Sequence, residues 1–260
     1  MAAALVTGAG RGLGAAIATR LAADGWAVGL LDRDAEAIHS VASALGDRGL
    51  ILPADILDES AVDAALDRLE QWAGPVAAVV CNAGIVRFGP LLDIAQSDFR
   101  AVTEVNLVGT FTVGRAAARR MVSARTGGAI VNITSMNGVA PGPNGGAYGP
   151  TKAGVALLTQ QMALEWGAHG IRVNAVAPGV VDAGMNAPIL SDPAFREARR
   201  SKIPLGRLGT AEDISAAVAW LLSPESSYVS GQNLLVDGGV TMSVIAGLPR
   251  PASVDGVGIR

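Results

Sequence analysis

The chain has 260 residues, of which 50 % are hydrophobic and 17 % charged, and its formal net charge is −3. The length suits one large α/β domain or two small ones, and the acidic balance excludes the basic field that nucleic-acid binding needs. Because Cys81 is the only cysteine, an internal disulfide framework and a multi-cysteine metal site are excluded, and we expect no metal. We also expect a cytoplasmic protein without a membrane partner, since the sequence has neither an export signal nor an apolar run of membrane-spanning length.

The first predicted strand, residues 2–7, leads into a glycine-rich turn and a predicted helix, residues 15–23. The turn reads Gly8-Ala9-Gly10-Arg11-Gly12-Leu13-Gly14. In a strand, glycine turn and helix of this kind the backbone can approach a pyrophosphate, and the helix N-terminus receives its charge. A second predicted strand, 27–31, is followed by Asp32, where a carboxylate can bind the ribose hydroxyls of a dinucleotide.

Three charged residues bear on which dinucleotide is bound. Asp32 repels a 2′-phosphate, because a carboxylate close to a phosphate dianion is strongly unfavourable at intermediate dielectric. Arg11 inside the turn and Arg33 next to Asp32 are opposing signals, since either could pair with that phosphate. We give Asp32 more weight, so the sequence predicts NAD rather than NADP.

Strands and helices continue to alternate through the first half of the chain. The predicted strands are 50–54 and 76–81, and the predicted helices are 35–45, 61–72 and 97–122. Asp55 follows the first of these strands, and the small-residue turn Asn82-Ala83-Gly84 follows the second. The long helix carries Asn106 in an otherwise apolar stretch, and a buried Asn needs hydrogen-bond partners.

The second half keeps the alternation and adds hydroxyl groups at strand and loop ends. The predicted elements are strands 128–133, 171–177 and 233–236, helices 148–167 and 211–222, the irregular loop 136–147 and an insert of short helices, 180–205. Ser135 closely follows the first of these strands, and Tyr148 begins the helix after the loop. This order predicts an α/β fold, a Rossmann-like doubly wound parallel sheet of about seven strands with helices on both faces. We expect residues 1–240 to form a single domain and 241–260 a C-terminal tail.

Tyr148 and Lys152 stand four positions apart in a chain with only two tyrosines and two lysines. Residues at this spacing share one face of a helix. A phenol, with a pKa of about 10, becomes a useful base near neutral pH when a cation beside it favours the phenolate. The pair is therefore a candidate general acid/base. From the motif alone, a half-buried Tyr with a solvated Lys one turn later remains the alternative.

Together these motifs resemble the short-chain dehydrogenase/reductase family in its single-domain form, from Thr7 to Gly239. The resemblance implies hydride transfer between a secondary alcohol or ketone and a nicotinamide cofactor, with Tyr148 as general acid/base. It implies a catalytic tetrad of Asn106, Ser135, Tyr148 and Lys152. In it Lys152 lowers the pKa of the phenol, and Asn106 keeps a water that links Lys152 to solvent.

The cofactor contacts follow from the glycine turn, from the strand ends and from the same resemblance. The expected cofactor-binding residues are Gly8, Arg11, Gly12, Leu13, Gly14, Asp32, Arg33, Asp55, Ile56, Asn82, Ala83, Gly84, Tyr148, Lys152, Pro178, Gly179 and Val181. The family often has a Thr shortly after the Pro-Gly turn that touches the cofactor. This chain instead reads Val181-Asp182-Ala183-Gly184-Met185 and lacks that hydroxyl.

The sequence indicates the reaction more clearly than the substrate. The candidate contacts are Arg87, Asn137, Val139, Asn144, Met185 and Ile189. The two asparagines suggest a polyol or sugar-derived alcohol, although turns use Asn for their own backbone geometry. Arg87 could pair with an anionic substrate or lie at the rim as an ordinary surface charge.

Two other functions and one assembly complete the expectations. The first alternative is an NADPH-dependent 3-oxoacyl-thioester reductase, and the second is a non-catalytic protein that senses nucleotides, since fold does not determine function. The family resemblance implies a homotetramer in which the helices around Asn106 and Tyr148 pack between subunits. We expect the tail, 241–260, to cross a subunit boundary.

Overall fold

The computed structural model describes residues 2–186 and 190–243. The strands are β1 Ala3–Thr7, β2 Ala27–Asp32, β3 Gly49–Pro53, β4 Val76–Cys81, β5 Gly128–Ile133, β6 Ile171–Pro178 and β7 Asn233–Val236. Within these residues they form one seven-stranded sheet in the order β3-β2-β1-β4-β5-β6-β7, and every neighbouring pair is parallel. The predicted Rossmann-like sheet is confirmed. Its strand order reverses between β1 and β4, the place where such sheets bind ligands.

Two layers of helices cover the sheet. The helices are α1 Gly12–Ala23, α2 Ala35–Leu45, α3 Glu59–Ala73, α4 Gln96–Thr103, α5 Gly109–Ala124, α6 Tyr148–Trp166, α7 Pro193–Arg200 and α8 Ala211–Leu222. Alternate residues of β1 point to opposite faces. Ala4 and Val6 pack in the layer of α1, α2 and α8, whereas Ala3 and Leu5 pack in the layer of α3, α5 and α6. None of the described helices has both the length and the apolar composition that crossing a membrane requires.

The predicted helix 97–122 is interrupted. α4 passes into one π-helical turn, Glu104–Val108, before α5 begins. A π turn holds one more residue than an α turn and is frequent at functional sites. Here it contains Asn106, which is completely buried. The apolar periodicity of the sequence predicts the helix but not this local change of winding.

The predicted insert contains a 3₁₀ turn, Gly184–Asn186, and α7. Asp192 caps α7, because its carboxylate accepts a hydrogen bond of 2.9 Å from the amide of Ala194. Ile189 and the tail beyond Ser243 lie outside the described residues. The division into a domain, 1–240, and a tail, 241–260, therefore stays a prediction.

Thr7 joins the ends of β1 and β4 where the strand order reverses. Its side chain is buried, and its hydroxyl oxygen accepts hydrogen bonds from the amides of Asn82 at 3.0 Å and Ala83 at 3.1 Å. The same hydroxyl donates to the Val80 carbonyl at 3.4 Å. One hydroxyl therefore satisfies the backbone of the turn after β4.

We predict that Thr7→Val destabilises the fold by about 1–3 kcal/mol, because valine keeps the shape but removes the acceptor of the Ala83 amide and leaves the Asn82 amide only the Val80 carbonyl at 3.2 Å. Urea unfolding measures this loss. Thr19→Val is the control, since Thr19 lies on the exposed side of α1 and bonds only its own helix, to the Ala15 carbonyl at 2.9 Å. Equal losses in the two variants would contradict a special role for Thr7.

Candidate active site

A cavity of about 840 Å³ opens where β1 to β6 end. It brings together most of the predicted site residues. Those that line it are Gly8, Arg11, Gly12, Leu13, Asp32, Arg33, Asp55, Ile56, Asn82, Ala83, Gly84, Arg87, Ser135, Asn137, Tyr148, Lys152, Pro178, Gly179, Val181 and Met185. Three predicted site residues, Gly14, Asn106 and Asn144, are not among the described residues that line the cavity.

Three positions of the glycine turn, Gly8, Gly12 and Gly14, favour glycine. Gly8 and Gly12 adopt left-handed φ angles of 64° and 56°, which favour glycine. A Cβ on Gly14 would lie only 2.0 Å from the carbonyl oxygen of Gly8. Gly14 thus does not touch the cavity but lets α1 pack directly onto the turn.

The start of α1 is suited to an anionic ligand. Arg11 precedes the helix without making a side-chain cap, and the first turn contains no acidic residue. The first amides of a helix have no partners inside the helix, and the helix dipole attracts negative charge there. A tight backbone cradle beside an uncapped helix start fits the pyrophosphate of a dinucleotide.

Asp32 is held between the glycine turn and the start of α2. Its Oδ2 accepts a hydrogen bond of 3.1 Å from the amide of Gly10, and its Oδ1 accepts one of 3.1 Å from the amide of Asp34. The carboxylate is thus oriented at the cavity wall, where it suits a ribose diol. Arg11 and Arg33 also line the cavity, and both are exposed.

Asn82 supports the glycine turn from behind. Its side-chain nitrogen, Nδ2, donates to the carbonyls of Thr7 at 2.9 Å and Gly8 at 3.2 Å. Thr7 also contributes to this contact through its hydroxyl, but it was not among the predicted site residues. Its position at the end of the first predicted strand is the sequence feature that could have indicated this role.

Asn106 uses its side chain to hold protein rather than to face the cavity. Its Oδ1 accepts from the amide of Ile85 at 2.8 Å, and its Nδ2 donates to the carbonyl of Ile85 at 3.0 Å and to Thr151 Oγ1 at 3.2 Å. Thr151 in turn donates to the carbonyl of Tyr148 at 2.8 Å. The side chain expected to keep a water is therefore engaged with the protein, and it ties the segment after β4 to the start of α6. Sequence reasoning missed Thr151 in this chain of contacts.

Ser135, Tyr148 and Lys152 converge at the cavity. Ser135 follows β5, its hydroxyl lies close enough to Tyr148 to affect the pKa of the phenol, and it accepts a hydrogen bond from the amide of Asn137 at 3.2 Å. Lys152 is 3 % exposed. Its Nζ donates to the carbonyl of Ile133 at 2.7 Å and lies 5.7 Å from the centre of the Tyr148 ring.

The pKa of Tyr148 differs from expectation. Burial raises the pKa of the phenol above its usual range, and the neighbouring Ser135 hydroxyl opposes this only in part. Burial also lowers the pKa of Lys152 to about 8, while the neighbouring Cys81 acts in the other direction. The net shift of the phenol pKa is thus opposite to the expected lowering, because burial is its largest cause, and the effect of Lys152 on the phenol stays a prediction.

The Pro-Gly turn and the insert form another wall. The amide of Gly179 donates to the carbonyl of Val236 at 3.0 Å, and Val181 pairs with Gly209 in a short parallel bridge. A Cβ on Gly12 would lie 2.8 Å from Cα of Gly184. The segment that lacks the family's Thr, residues 181–185, therefore packs closely on the glycine turn at Gly184.

The predicted substrate contacts divide into two groups. Arg87, Asn137 and Met185 line the cavity, and Arg87 Nε lies 3.8 Å from Asp98. Asn144 instead has a left-handed φ of 61°, and its carbonyl accepts from the amide of Gly89 at 2.9 Å. Its backbone geometry accounts for this Asn, so a substrate contact is not supported.

Val139 is likewise not among the described residues that line the cavity. Several residues that do line the cavity were not predicted. Phe195, Arg199 and Leu190 reach the cavity from the insert. The four-residue spacing of Phe195 and Arg199 was the available signal, since it places them on one helix face. The weak periodicity of the insert concealed it.

Comparison with known proteins extends these observations. A family model described as Enoyl-(Acyl carrier protein) reductase matches residues 8–241. The 3beta-hydroxysteroid dehydrogenase 1 of Eggerthella lenta is 38 % identical over 92 % of this chain and 93 % of its own. The galactitol 2-dehydrogenase (L-tagatose-forming) of Cereibacter sphaeroides is 41 % identical over 92 % of this chain and 94 % of its own.

A solved structure agrees with these relatives. The crystal structure of a short-chain type dehydrogenase/reductase from Mycobacterium marinum superposes with a TM-score of 0.87 at 33 % sequence identity. The match covers 92 % of this chain and 95 % of that one. The similarity therefore extends over nearly the whole length of both chains.

We predict that burial of Lys152 makes the stability of the ligand-free protein depend on pH. The pKa of Lys152 falls from 10.5 to about 8 in the folded state, so the unfolded chain binds more protons between these values and stability rises with pH there. At pH 7 the buried ammonium costs about 3 kcal/mol, at about 1.4 kcal/mol per pH unit.

Lys152→Met should remove this rise, which urea unfolding at pH 7 and pH 9.5 measures. Lys202→Met is the control, because Lys202, the other lysine, is exposed. If the Lys152 variant keeps the same change of unfolding free energy between the two pH values as the wild type, the assignment is wrong.

Proposed function

The chain belongs to the short-chain dehydrogenase/reductase family, and from this premise we propose that it interconverts a secondary alcohol and its ketone with NAD as the preferred cofactor. Dehydrogenases of this family are oxidoreductases that use a nicotinamide cofactor. The observation that carries the proposal is the convergence of Ser135, Tyr148 and Lys152 at one end of the cavity. The cradle of the glycine turn lies in the same cavity, so a dinucleotide and a carbonyl compound can be held together.

Tyr148 is proposed as the proton donor and acceptor. The bound nicotinamide supplies or accepts the hydride. Because burial raises the pKa of Tyr148, its phenol is protonated at neutral pH and suited to protonate the oxygen of a ketone being reduced. In the oxidation direction the phenol must first lose its proton, so that direction is favoured by higher pH.

The neighbouring side chains position the reacting oxygen. Ser135 donates a hydrogen bond to the substrate oxygen and sets its distance from Tyr148. Lys152 places a positive charge near the phenol and is proposed to hold the nicotinamide ribose. Asn106 acts through Thr151 by holding the start of α6, which carries Tyr148, in place.

Asp32 supports the preference for NAD. Its carboxylate is fixed by two backbone amides, so it cannot easily turn away from a 2′-phosphate. Arg11 and Arg33 lie at the same end of the cavity and favour NADP. We propose that the fixed carboxylate prevails over two exposed side chains, whose ion pairs are weakened by solvent.

The proposal for the substrate is a secondary alcohol. The expected preference for a polyol or sugar-derived alcohol now rests on Asn137 alone, since Asn144 serves a turn. The name of the galactitol dehydrogenase supports a polyol, whereas the name of the hydroxysteroid dehydrogenase supports an apolar alcohol. A cytoplasmic location stays a prediction from the sequence.

We predict that Tyr148→Phe lowers kcat by at least about 100-fold while binding of the dinucleotide is kept, because only the acid/base group is removed. The measurement is oxidation of secondary alcohols, polyols and 3-hydroxyacyl thioesters with NAD and with NADP, beside calorimetric binding of each dinucleotide. Tyr228→Phe is the matched control, since Tyr228 is the other tyrosine and is fully exposed.

The outcomes separate the alternatives. Turnover with NAD that is lost only in the Tyr148 variant supports the proposal. Turnover restricted to NADP and thioesters indicates the 3-oxoacyl-thioester reductase instead. Tight binding of a dinucleotide by the wild type, with no turnover in either direction, indicates a sensor.

We also propose a homotetramer in which α6 packs between subunits. Leu157 and Leu164 lie seven residues apart on one face of this helix, with 68 % and 79 % of their surface exposed. Val108, the last residue of the π turn, and Phe111, in the first turn of α5, are also partly exposed. Large apolar side chains exposed together are typical of interaction surfaces.

The double variant Leu157→Glu, Leu164→Glu should dissociate the assembly, because two buried carboxylates would face apolar groups in the interface. Sedimentation velocity measures this change. Leu92→Glu is the control, since Leu92 is exposed in the loop before α4. A monomeric wild type, or a tetrameric double variant, is incompatible with this interface.

A further inference from the structure

Arg199 differs from the other arginines of α7. Arg196 pairs with Asp182 at 2.5 Å, and Arg200 pairs with Glu197 at 2.6 Å. Arg199 lines the cavity, and no carboxylate of residues 2–186 or 190–243 forms an ion pair with it. One of the three guanidinium groups is thus directed at the cavity with its charge uncompensated.

An aromatic ring positions this guanidinium. The central carbon of Arg199 lies 4.9 Å from the centre of the Phe195 ring. Phe195 is itself half-buried and packs against a small hydrophobic cluster that contains Leu190 and Ile203. Stacking on an anchored ring fixes the plane of the guanidinium and leaves its N–H groups free to donate sideways. Less conformational freedom is then lost when an anion binds.

The acids of the cavity lie at one end of it. Among the described lining residues they are Asp32, the last residue of β2, and Asp55, which follows β3, and Arg11 and Arg33 lie beside them. Asp32 is four strand positions from β6 in the sheet, which is a separation of about 19 Å. At the other end the lining carries Arg199, Arg87 and Lys152, of which Arg87 faces Asp98 at 3.8 Å. The end that holds Ser135 and Tyr148 therefore has cations but no acid among its described lining residues.

Large apolar side chains also line the cavity. They are Val86, Phe88, Met136, Met185, Leu190 and Phe195. A polyol would leave hydroxyl groups without partners wherever they meet these side chains. An apolar segment of substrate fits them better.

We propose that the substrate carries an anionic group, separated by an apolar segment from the carbinol that reacts, and that Arg199 binds this group. The substrate class is a hydroxy acid or the corresponding oxo acid, since a carboxylate matches the paired N–H groups of a guanidinium. This inference rests on the proposed function for the position of the carbinol. The recognition of the anion by Arg199 can be tested separately from turnover.

The first experiment measures binding to the complex of the protein with NAD, so that the dinucleotide already occupies its own phosphate site. Hexanoate, hexanesulfonate and hexanamide are titrated by calorimetry. We expect hexanoate to bind at least tenfold more tightly than the amide. Arg199→Gln should weaken hexanoate about 10–100-fold, as expected for a charge-assisted hydrogen bond, and leave the amide within twofold.

Two further variants control for charge and geometry. Arg200→Gln removes the same charge from the same helix, but Arg200 is bonded to Glu197 and to the Gly206 carbonyl, so hexanoate binding should stay within twofold. Arg199→Lys should restore part of the affinity, because lysine keeps the charge but not the paired donors. Equal losses in Arg199→Gln and Arg200→Gln would show a general field effect and overturn the proposal.

The second experiment follows oxidation of 5-hydroxyhexanoate, its methyl ester and 2-hexanol. The wild type should prefer the acid, and Arg199→Gln should raise KM for the acid at least tenfold with little change in kcat, while the ester and the alcohol are unaffected. Tighter binding of hexanesulfonate than hexanoate would assign the site to a sulfonate or phosphate group instead of a carboxylate.

The two proposals fail in different ways. If neutral alcohols are oxidised but hexanoate binds no better than hexanamide, the anion site is refuted and the dehydrogenase stands. If hexanoate binding depends on Arg199 but no alcohol is oxidised with either dinucleotide, the anion site stands and the dehydrogenase is refuted.

Discussion

The close contact between the ends of β1 and β4 is the constraint on which the site depends. Thr7 and Asn82 join the two strand ends through three hydrogen bonds of 2.9–3.1 Å and one of 3.2 Å. The same contact brings Gly14 so near to Gly8 that a methyl group does not fit. Because the strand order reverses at this point, the two halves of the sheet diverge from it and leave the cavity between them.

Burial then shifts the pKa values of Tyr148 and Lys152. Desolvation disfavours every charged form, so it raises the pKa of Tyr148 and lowers that of Lys152 to about 8. Both shifts favour the neutral side chain, and the free protein therefore carries a protonated phenol beside a weakened cation. Asn106 and Thr151 add no charge, but their hydrogen bonds fix the start of α6, which carries Tyr148 and Lys152. The fold thus fixes the positions of Tyr148 and Lys152, and burial sets the direction of both pKa shifts.

The sequence allowed prediction of the features that repeat along the chain or lie at strand ends. Apolar runs indicated the seven strands, and the position of Asp32 at the end of β2 placed it at the cavity. The π turn around Asn106, the partners of its side chain and the sign of the Tyr148 shift depend on residues far apart in sequence. Thr151 is 45 positions from Asn106, and no local pattern predicts such a contact. Desolvation is likewise a property of the packed molecule and not of a motif.

The same limit applies to the substrate end, where three arginines on a short helix look equivalent in sequence. Their distinction arises when Asp182 and Glu197 pair with Arg196 and Arg200 and leave Arg199. Both lining acids, Asp32 and Asp55, lie at the β2 end beside Arg11 and Arg33, whereas Arg199 lies at the α7 end without an ion-pair partner among the described residues. A substrate with its own negative charge would be attracted by Arg199. Charge would then orient it before Ser135 and Tyr148 contact its oxygen.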